Sequence, residues 1–299
     1  MIQTGKSDRQ KKNRVAQEMP TVRFLYKTTA GRCLLKLLMK THFDRLMVRF
    51  LQSGLSRIIV PVYIRLNHVD LEDCEKKSFT SFRDFFMRKR KQTVVEGDDL
   101  ALISLCDGYL SAYKVRENAR FRIKGMDYTV EELAPGLENS ERFQNGACLI
   151  FRLCASDYHR YMYFDDCVQG EHHYVEGELN SVQNCACETY PVYIRNRRTW
   201  SVLKTKHFGD VLETEVGAFV VGGIVNRMTP QDTALCSNGN VKRGMQKGHF
   251  DLAGSTIVLL FERDKIVLDE RLREGLSSGG EVRVRMGEKI GCVKKIDRT

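Results

Sequence analysis

A glycine-serine step that runs straight into an apolar strand is one place in this sequence where the backbone itself can react. In Gly248-His249-Phe250-Asp251-Leu252-Ala253-Gly254-Ser255-Thr256, followed by Ile257-Val258-Leu259-Leu260-Phe261, Gly254 has no Cβ, so its carbonyl stands unhindered beside the Ser255 hydroxyl. Attack of that hydroxyl on the carbonyl before it is chemistry of the chain upon itself. An ordinary turn entering a strand is the competing reading of the same residues. Asp157-Tyr158-His159-Arg160 follows the apolar run Cys148 to Cys154, which sets His159 just past a buried strand as a candidate acid or base, with an aspartate and an arginine nearby in sequence to orient it. A histidine merely satisfied by hydrogen bonds at a strand end is the alternative. Cys106-Asp107-Gly108 also closes an apolar run, and its glycine permits a tight turn that presents the Asp107 carboxylate. Cys185-Ala186-Cys187 has no second pair at ligand spacing, and adjacent His172 and His173 point to opposite sides of a strand, so no metal site is expected.

These residues must be positioned by a chain whose texture changes near residue 100. Residues 1–20 read as a mobile basic tail, carrying Lys6, Arg9, Lys11, Lys12 and Arg14 with no apolar segment of a signal peptide behind them. Residues 21–100 read as a helical, membrane-associating region. From Gly31 to Leu51, Leu34, Leu35, Leu38, Phe43, Leu46 and Phe50 recur at helical spacing, with Arg32, Lys36, Lys40, Arg45 and Arg49 between them. Such a helix either packs on the core with a solvated basic face or lies on an anionic bilayer, apolar side down. Ser78 to Lys91 predicts a capped amphipathic helix with Phe82, Phe85 and Phe86 on one face, a spacing that favours packing over base stacking.

From about Ala101 onward, short β-prone runs separated by Gly, Asn and Asp predict strands at Ala101–Leu105, Leu110–Val115, Cys148–Leu153, Val216–Val225, Thr256–Phe261, Val282–Met286 and Ile290–Lys294. Residues 101–299 therefore form a β-rich core, and the fold class is α+β. No strand is followed by G-x-G-x-x-G or a phosphate loop, which disfavours a doubly wound nucleotide-binding fold.

Composition agrees. A chain of 299 residues with 42% hydrophobic content can bury a core, and no run approaches the roughly 20 apolar residues of a membrane span. Lys plus Arg at 48 against Asp plus Glu at 38 gives +10, which calls for an anionic partner: nucleic acid, a membrane surface or a phosphorylated substrate. Ten scattered cysteines fit free thiols in a reduced cytosolic setting.

Taken in order, F-R-D-F-F-x-R (82–88), C-D-G (106–108), D-Y-H-R (157–160), V-G-A-F-V-V-G-x-I (216–224) and G-S-T before an apolar strand (254–261) resemble the phosphatidylserine decarboxylase proenzymes, closest to the bacterial type II branch. The resemblance runs from about Tyr26 to about Ile296. It implies a core similar to the barrel-like sandwich of biotinyl and lipoyl carriers. It also implies self-cleavage between Gly254 and Ser255 into a β chain, 1–254, and an α chain, 255–299. Ser255 would become a covalent pyruvoyl group, the cofactor, which decarboxylates phosphatidylserine to phosphatidylethanolamine through a Schiff base. Asp107 matches the family's relay aspartate, His159 the histidine of D-Y-H-R and Ser255 the nucleophile.

Partners implied are phosphatidylserine, an anionic membrane surface and the two chains of one precursor, with a homodimer allowed and nucleic acid not expected. The implied location is peripheral, on the cytoplasmic face of the cell membrane. The sequence departs from the pattern at Met162, where many relatives carry a second histidine, at Arg197 within Asn196-Arg197-Arg198, at Gln246 and at Ala253. Met162 leaves two readings open: His159 serves alone, or another base substitutes. It also motivates an alternative function, an uncleaved, non-catalytic membrane-surface homologue.

Overall fold

Past residue 100 the apolar residues come in unbroken runs, the pattern of strands covered on both faces, and the computed structural model pairs them so. It describes residues 19–41, 43–218, 223–226, 239–252, 255–277 and 280–294; the basic tail up to residue 18, Ala253 and Gly254 lie outside them. The largest sheet is antiparallel and open. Its spatial order is β12 (Asn240–Val241), β7 (Cys167–Gln169), β9 (Arg198–Thr205), β10 (Asp210–Val216), β14 (Ser255–Phe261), β5 (Ala147–Leu153), β2 (Gly108–Lys114) and β16 (Val282–Val284), with β8 (His173–Val175) also on β9. Two three-stranded sheets flank it: β1 (Ala101–Ile103), β17 (Lys289–Val293) and β15 (Ile266–Leu268), and then β11 (Gly223–Val225), β13 (Gln246–Asp251) and β6 (Arg160–Met162). A hairpin, β3 (Arg120–Ile123) with β4 (Met126–Thr129), completes the strands. The α+β class holds, and among the described residues no sheet closes into a barrel.

Alternation along β14 sorts its side chains between two cores. Val258 and Leu260 join Ile150, Leu212 and Trp200 on one side, while Ile257, Leu259 and Phe261 join Leu149, Phe151 and Val211 on the other. Ser255 shares the face of Ile257 and Leu259, so its hydroxyl enters the second core.

Before the sheets come α1 (Pro20–Lys27), α2 (Thr29–Lys40), α3 (Phe43–Gln52), a 3-10 turn (Gly54–Ile58), α4 (Ile59–Asn67) and α5 (Phe82–Phe86). The single helix expected over Gly31–Leu51 is two, interrupted at Thr41, whose hydroxyl donates to the Leu37 and Leu38 carbonyls. The helix expected over Ser78–Lys91 shrinks to the five residues of α5. Its Ser81 cap accepts from the Asp84 N–H at 3.1 Å, and after Met87 the chain extends so that Arg90 bridges to Cys74. The strand expected over Val216–Val225 is also two pieces, β10 and β11, and residues 219–222 between them fall outside the described residues.

The helical layer has a core of its own, in which Val60, Phe79, Phe82, Phe85 and Phe86 surround Leu252. One stripe of its outer face is apolar. Leu55, Ile58, Val62 and Leu66 recur at helical spacing along the 3-10 turn and α4, each 58–76% exposed.

Candidate active site

Ser255 opens β14 opposite Leu153, the last residue of β5. The chain leaving Leu153 turns at once: the Asp157 N–H donates to the Cys154 carbonyl at 2.8 Å, and the Cys154 N–H donates to Asp157 Oδ2 at 2.7 Å. Arg283 holds Asp157 with two further bonds of 2.6 and 3.0 Å, so the turn is fixed from outside. It returns His159 to the head of β14, with Nδ1 3.2 Å from Ser255 Oγ. Nε2 of the same ring lies 2.9 Å from the Cys154 carbonyl oxygen. A carbonyl only accepts, so Nε2 carries the hydrogen and the Nδ1 lone pair is left to accept from the Ser255 hydroxyl.

Both residues are sealed from water, Ser255 at 0% and His159 at 1% exposure. Burial, and after it the charge of Arg88, push the His159 pKa down to about 3. The ring is therefore a neutral base across the physiological range. It stacks on Phe86 of α5, with centroids 4.0 Å apart. Arg160, next in sequence, donates to the Met87 carbonyl at 2.9 Å and to Gln246 Oε1 at 3.0 Å, which ties D-Y-H-R to the end of α5 and to β13.

Asp107 is buried beside Arg90, which approaches both its oxygens at 2.5 and 3.2 Å, while the Met286 N–H donates to Oδ1 at 2.9 Å. Burial alone would raise its pKa; the charge and hydrogen bond of Arg90, the Met286 N–H and Arg283 outweigh it, and the carboxyl stays below its ordinary value. Among the described residues no hydrogen bond joins Asp107 to His159; its negative charge favours protonation of His159 through space. Gly108 is required by a close approach, since a Cβ there would sit 2.7 Å from the Arg152 carbonyl oxygen. Met162 is buried in the apolar cluster with Leu105, Tyr161 and Phe164, a place for a thioether and not for a proton carrier. The other candidates lie elsewhere: Cys185 and Cys187 are buried in a short helical turn (Asn184–Cys187), and His173 stacks on Trp200 at 3.9 Å.

A cleft of about 1970 Å³ opens beside this centre, walled in part by Arg88, Arg90, Asp107, Cys154, Asp157 and Arg283. Its wall is charged in both senses, with Arg90 and Arg283 paired to Asp107 and Asp157 and with Asp70, Asp73, Glu96 and Glu288 also lining it.

Sequence reading misses the partners that lie far away in the chain. Arg90 and Arg283 are undistinguished surface-type residues in sequence, yet each neutralises a carboxylate of a motif. Lys247 is 2% exposed and bonded to Glu215, with Glu213 at 3.6 Å. Glu213 and Glu215 pair with Leu259 and Ile257 across the sheet, so this charged cluster shares the face of Ser255. Burial, opposed by Lys247 and reinforced by the charge of Glu215, lifts the Glu213 pKa to about 7.

A strand that begins with a buried serine held against a neutral histidine lies beside this cleft, and comparison with known families places the chain among the carboxy-lyases. It belongs to the phosphatidylserine decarboxylase family, whose model matches residues 82–292. Phosphatidylserine decarboxylase proenzyme 2 of Clostridium acetobutylicum is 39% identical over 277 residues, covering 90% of this chain and 91% of its own. The proenzymes of Clostridium novyi, at 36% with 90% and 92% covered, and of Desulfitobacterium hafniense, at 35% with 92% of each covered, are similar over the same extent.

Proposed function

We propose that this chain is a proenzyme that cuts itself between Gly254 and Ser255 and then decarboxylates phosphatidylserine to phosphatidylethanolamine and carbon dioxide. The observation that carries the reading is the 3.2 Å contact between Ser255 Oγ and the unprotonated Nδ1 of His159. His159 takes the hydroxyl proton as Ser255 Oγ bonds to the Gly254 carbonyl carbon. The Gly254–Ser255 C–N bond then breaks, the proton passes to the leaving nitrogen, and an ester replaces the peptide. Loss of the Ser255 α-proton and of the Gly254 carboxylate, followed by addition of water and release of ammonia, leaves a pyruvoyl group at residue 255 with no net oxidation. That ketone, once formed, serves as the sink for the electron pair freed when carbon dioxide departs.

Met162 is packed among apolar side chains, so His159 acts without the second histidine of many relatives. Relatives named as proenzymes favour this reading over an uncleaved homologue. Asp107 stabilises the transient imidazolium through space.

The exposed stripe of Leu55, Ile58, Val62 and Leu66, flanked by Arg57 and Arg65, suits insertion into the interface of an anionic bilayer, which would hold the enzyme peripherally at the cytoplasmic face, beside its lipid substrate. No helix among the described residues is long and apolar enough to cross a membrane.

A denaturing gel with intact-mass measurement tests the proposal. The wild-type chain should resolve into two fragments and turn over phosphatidylserine. Ser255→Ala should give one inactive chain, and His159→Ala should slow cleavage by roughly 10²- to 10⁴-fold. A wild-type chain that stays whole and inactive on phosphatidylserine overturns it.

A further inference from the structure

α5 touches both the segment that leads to the proposed cut and the base that faces Ser255. Upstream, Arg83 grips Asp251 in a fork, with Nε 2.9 and 3.0 Å from the two carboxylate oxygens and Nη2 2.8 Å from Oδ2. The next residue, Leu252, stands at φ +64°, a left-handed conformation that a branched side chain adopts at a cost, and it is wholly buried among Phe82, Phe85 and Phe86. On its other side, Phe86 stacks on His159, the base that faces Ser255. Immediately after α5, Arg88 donates to the Ser156 and Asp157 carbonyls at 3.0 and 3.1 Å, bracing the turn that carries His159. α5 is itself fixed to the helical layer, since its Phe82 N–H donates to Ser56 Oγ at 2.8 Å.

We infer that α5 is a jig for self-cleavage, in which Arg83 is a positioning residue: by clamping Asp251 it fixes the approach of residues 251–252 to Ser255 while Phe86 fixes the base. The inference rests on the proposed processing and adds to it the element that sets its geometry. Arg83 makes and breaks no bond. Its fork matters because two parallel bonds to one carboxylate fix direction as well as distance, which a lysine cannot do. Held by Arg83 and by the phenylalanines of α5, Asp251 and Leu252 would also stay seated after the cut.

The test is the rate of conversion of freshly synthesised precursor, followed on denaturing gels after a labelling pulse, beside Ser255→Ala as the uncleaved control. Arg83→Ala and Asp251→Ala should each slow conversion by about tenfold or more, and Arg83→Lys by less. The exchange Arg83→Asp with Asp251→Arg should recover most of the rate, a result that lost packing alone would not give. Arg83 is 42% exposed on its side chain, so Arg83→Lys should keep the wild-type melting profile and read geometry alone. Wild-type rates in the single variants, or slow variants that the exchange does not rescue, overturn the clamp. A wild-type chain that never converts overturns the processing reading and the clamp with it, which separates the two failures.

Discussion

The imidazole of His159 lies on the ring of Phe86, with centroids 4.0 Å apart and 26° between the planes. An apolar face on one side and complete burial around it make the charged ring costly, and the folded chain gains by keeping it neutral.

Stability should therefore depend on pH in a definite sense. Unfolded, a histidine takes up its proton near pH 6.5, whereas folded His159 does so only at about 3. Between those values the unfolded chain binds the extra proton, so this contribution is whole above about pH 6.5 and is lost as the pH falls toward 3. His249, held down to about 4 by burial and then by the charge of Arg160, acts in the same direction. Denaturant midpoints measured from about pH 8 to about pH 4 should fall, and His159→Phe should flatten the slope. An unchanged slope in that variant would contradict a buried neutral ring.

Removing Arg90 should be more damaging than its position on a loop suggests. Arg90→Met leaves the Asp107 carboxylate buried with, among the described residues, the Met286 N–H as its remaining hydrogen bond, and losing one partner of such a pair costs about 3 to 5 kcal/mol. Urea unfolding of the Ser255→Ala precursor as background should register that loss, while Arg90→Met with Asp107→Leu should recover part of it. Equal stability of Arg90→Met and its parent would refute the pairing.

Lys247 should behave similarly, with a pH signature of its own. Glu213 has a folded pKa lifted to about 7, above its unfolded value, so its contribution is whole below about pH 4.5 and is lost as the pH rises through 7. Glu213→Gln should therefore raise the melting temperature near pH 8 relative to wild type, with little gain near pH 5. Lys247→Met should lower it at both. A Glu213→Gln chain that melts alike at both pH values relative to wild type would show that this carboxyl is ordinary.

Partition onto vesicles should depend on two sets of residues. Leu55→Ser, Ile58→Ser, Val62→Ser and Leu66→Ser remove the apolar stripe, and each should weaken binding by about 1 kcal/mol or more. Reversing Arg32, Lys36, Lys40, Arg45 and Arg49 should cost up to about 1 kcal/mol for each residue near an anionic surface, with the loss shrinking as salt is added. Cosedimentation with vesicles containing phosphatidylserine measures both, and unchanged binding of the four-serine variant would place the contact elsewhere.

What the sequence makes legible here is local. The apolar runs at Cys148–Leu153 and Thr256–Phe261 become β5 and β14 nearly residue for residue, because burial on both faces needs no knowledge of the partner. β9 and β13 escape notice since Arg198, Lys204, Lys247 and His249 break their apolar character. Those polar groups are tolerated through contacts the sequence does not display: Arg198 donates to the Leu133 carbonyl at 2.8 Å, and Lys247 meets Glu215. Ser255, His159 and Asp107 each stand out from neighbouring residues. That His159 meets Ser255, 96 positions away, and that Asp107 turns instead to Arg90 are matters of packing. Arg83 and Asp251, 168 positions apart, give no local sign of each other.

The order of strands carries a consequence for the product. A cut before Ser255 leaves the smaller piece with β14 sandwiched between β10 and β5, β16 hydrogen-bonded to β2, and β17 lying against β1. The two polypeptides would be woven through one another's sheets, sharing a hydrophobic interior that neither can rebuild alone. Such a nicked molecule should migrate as a single species until denaturant dismantles the whole, so that dissociation and unfolding become one transition.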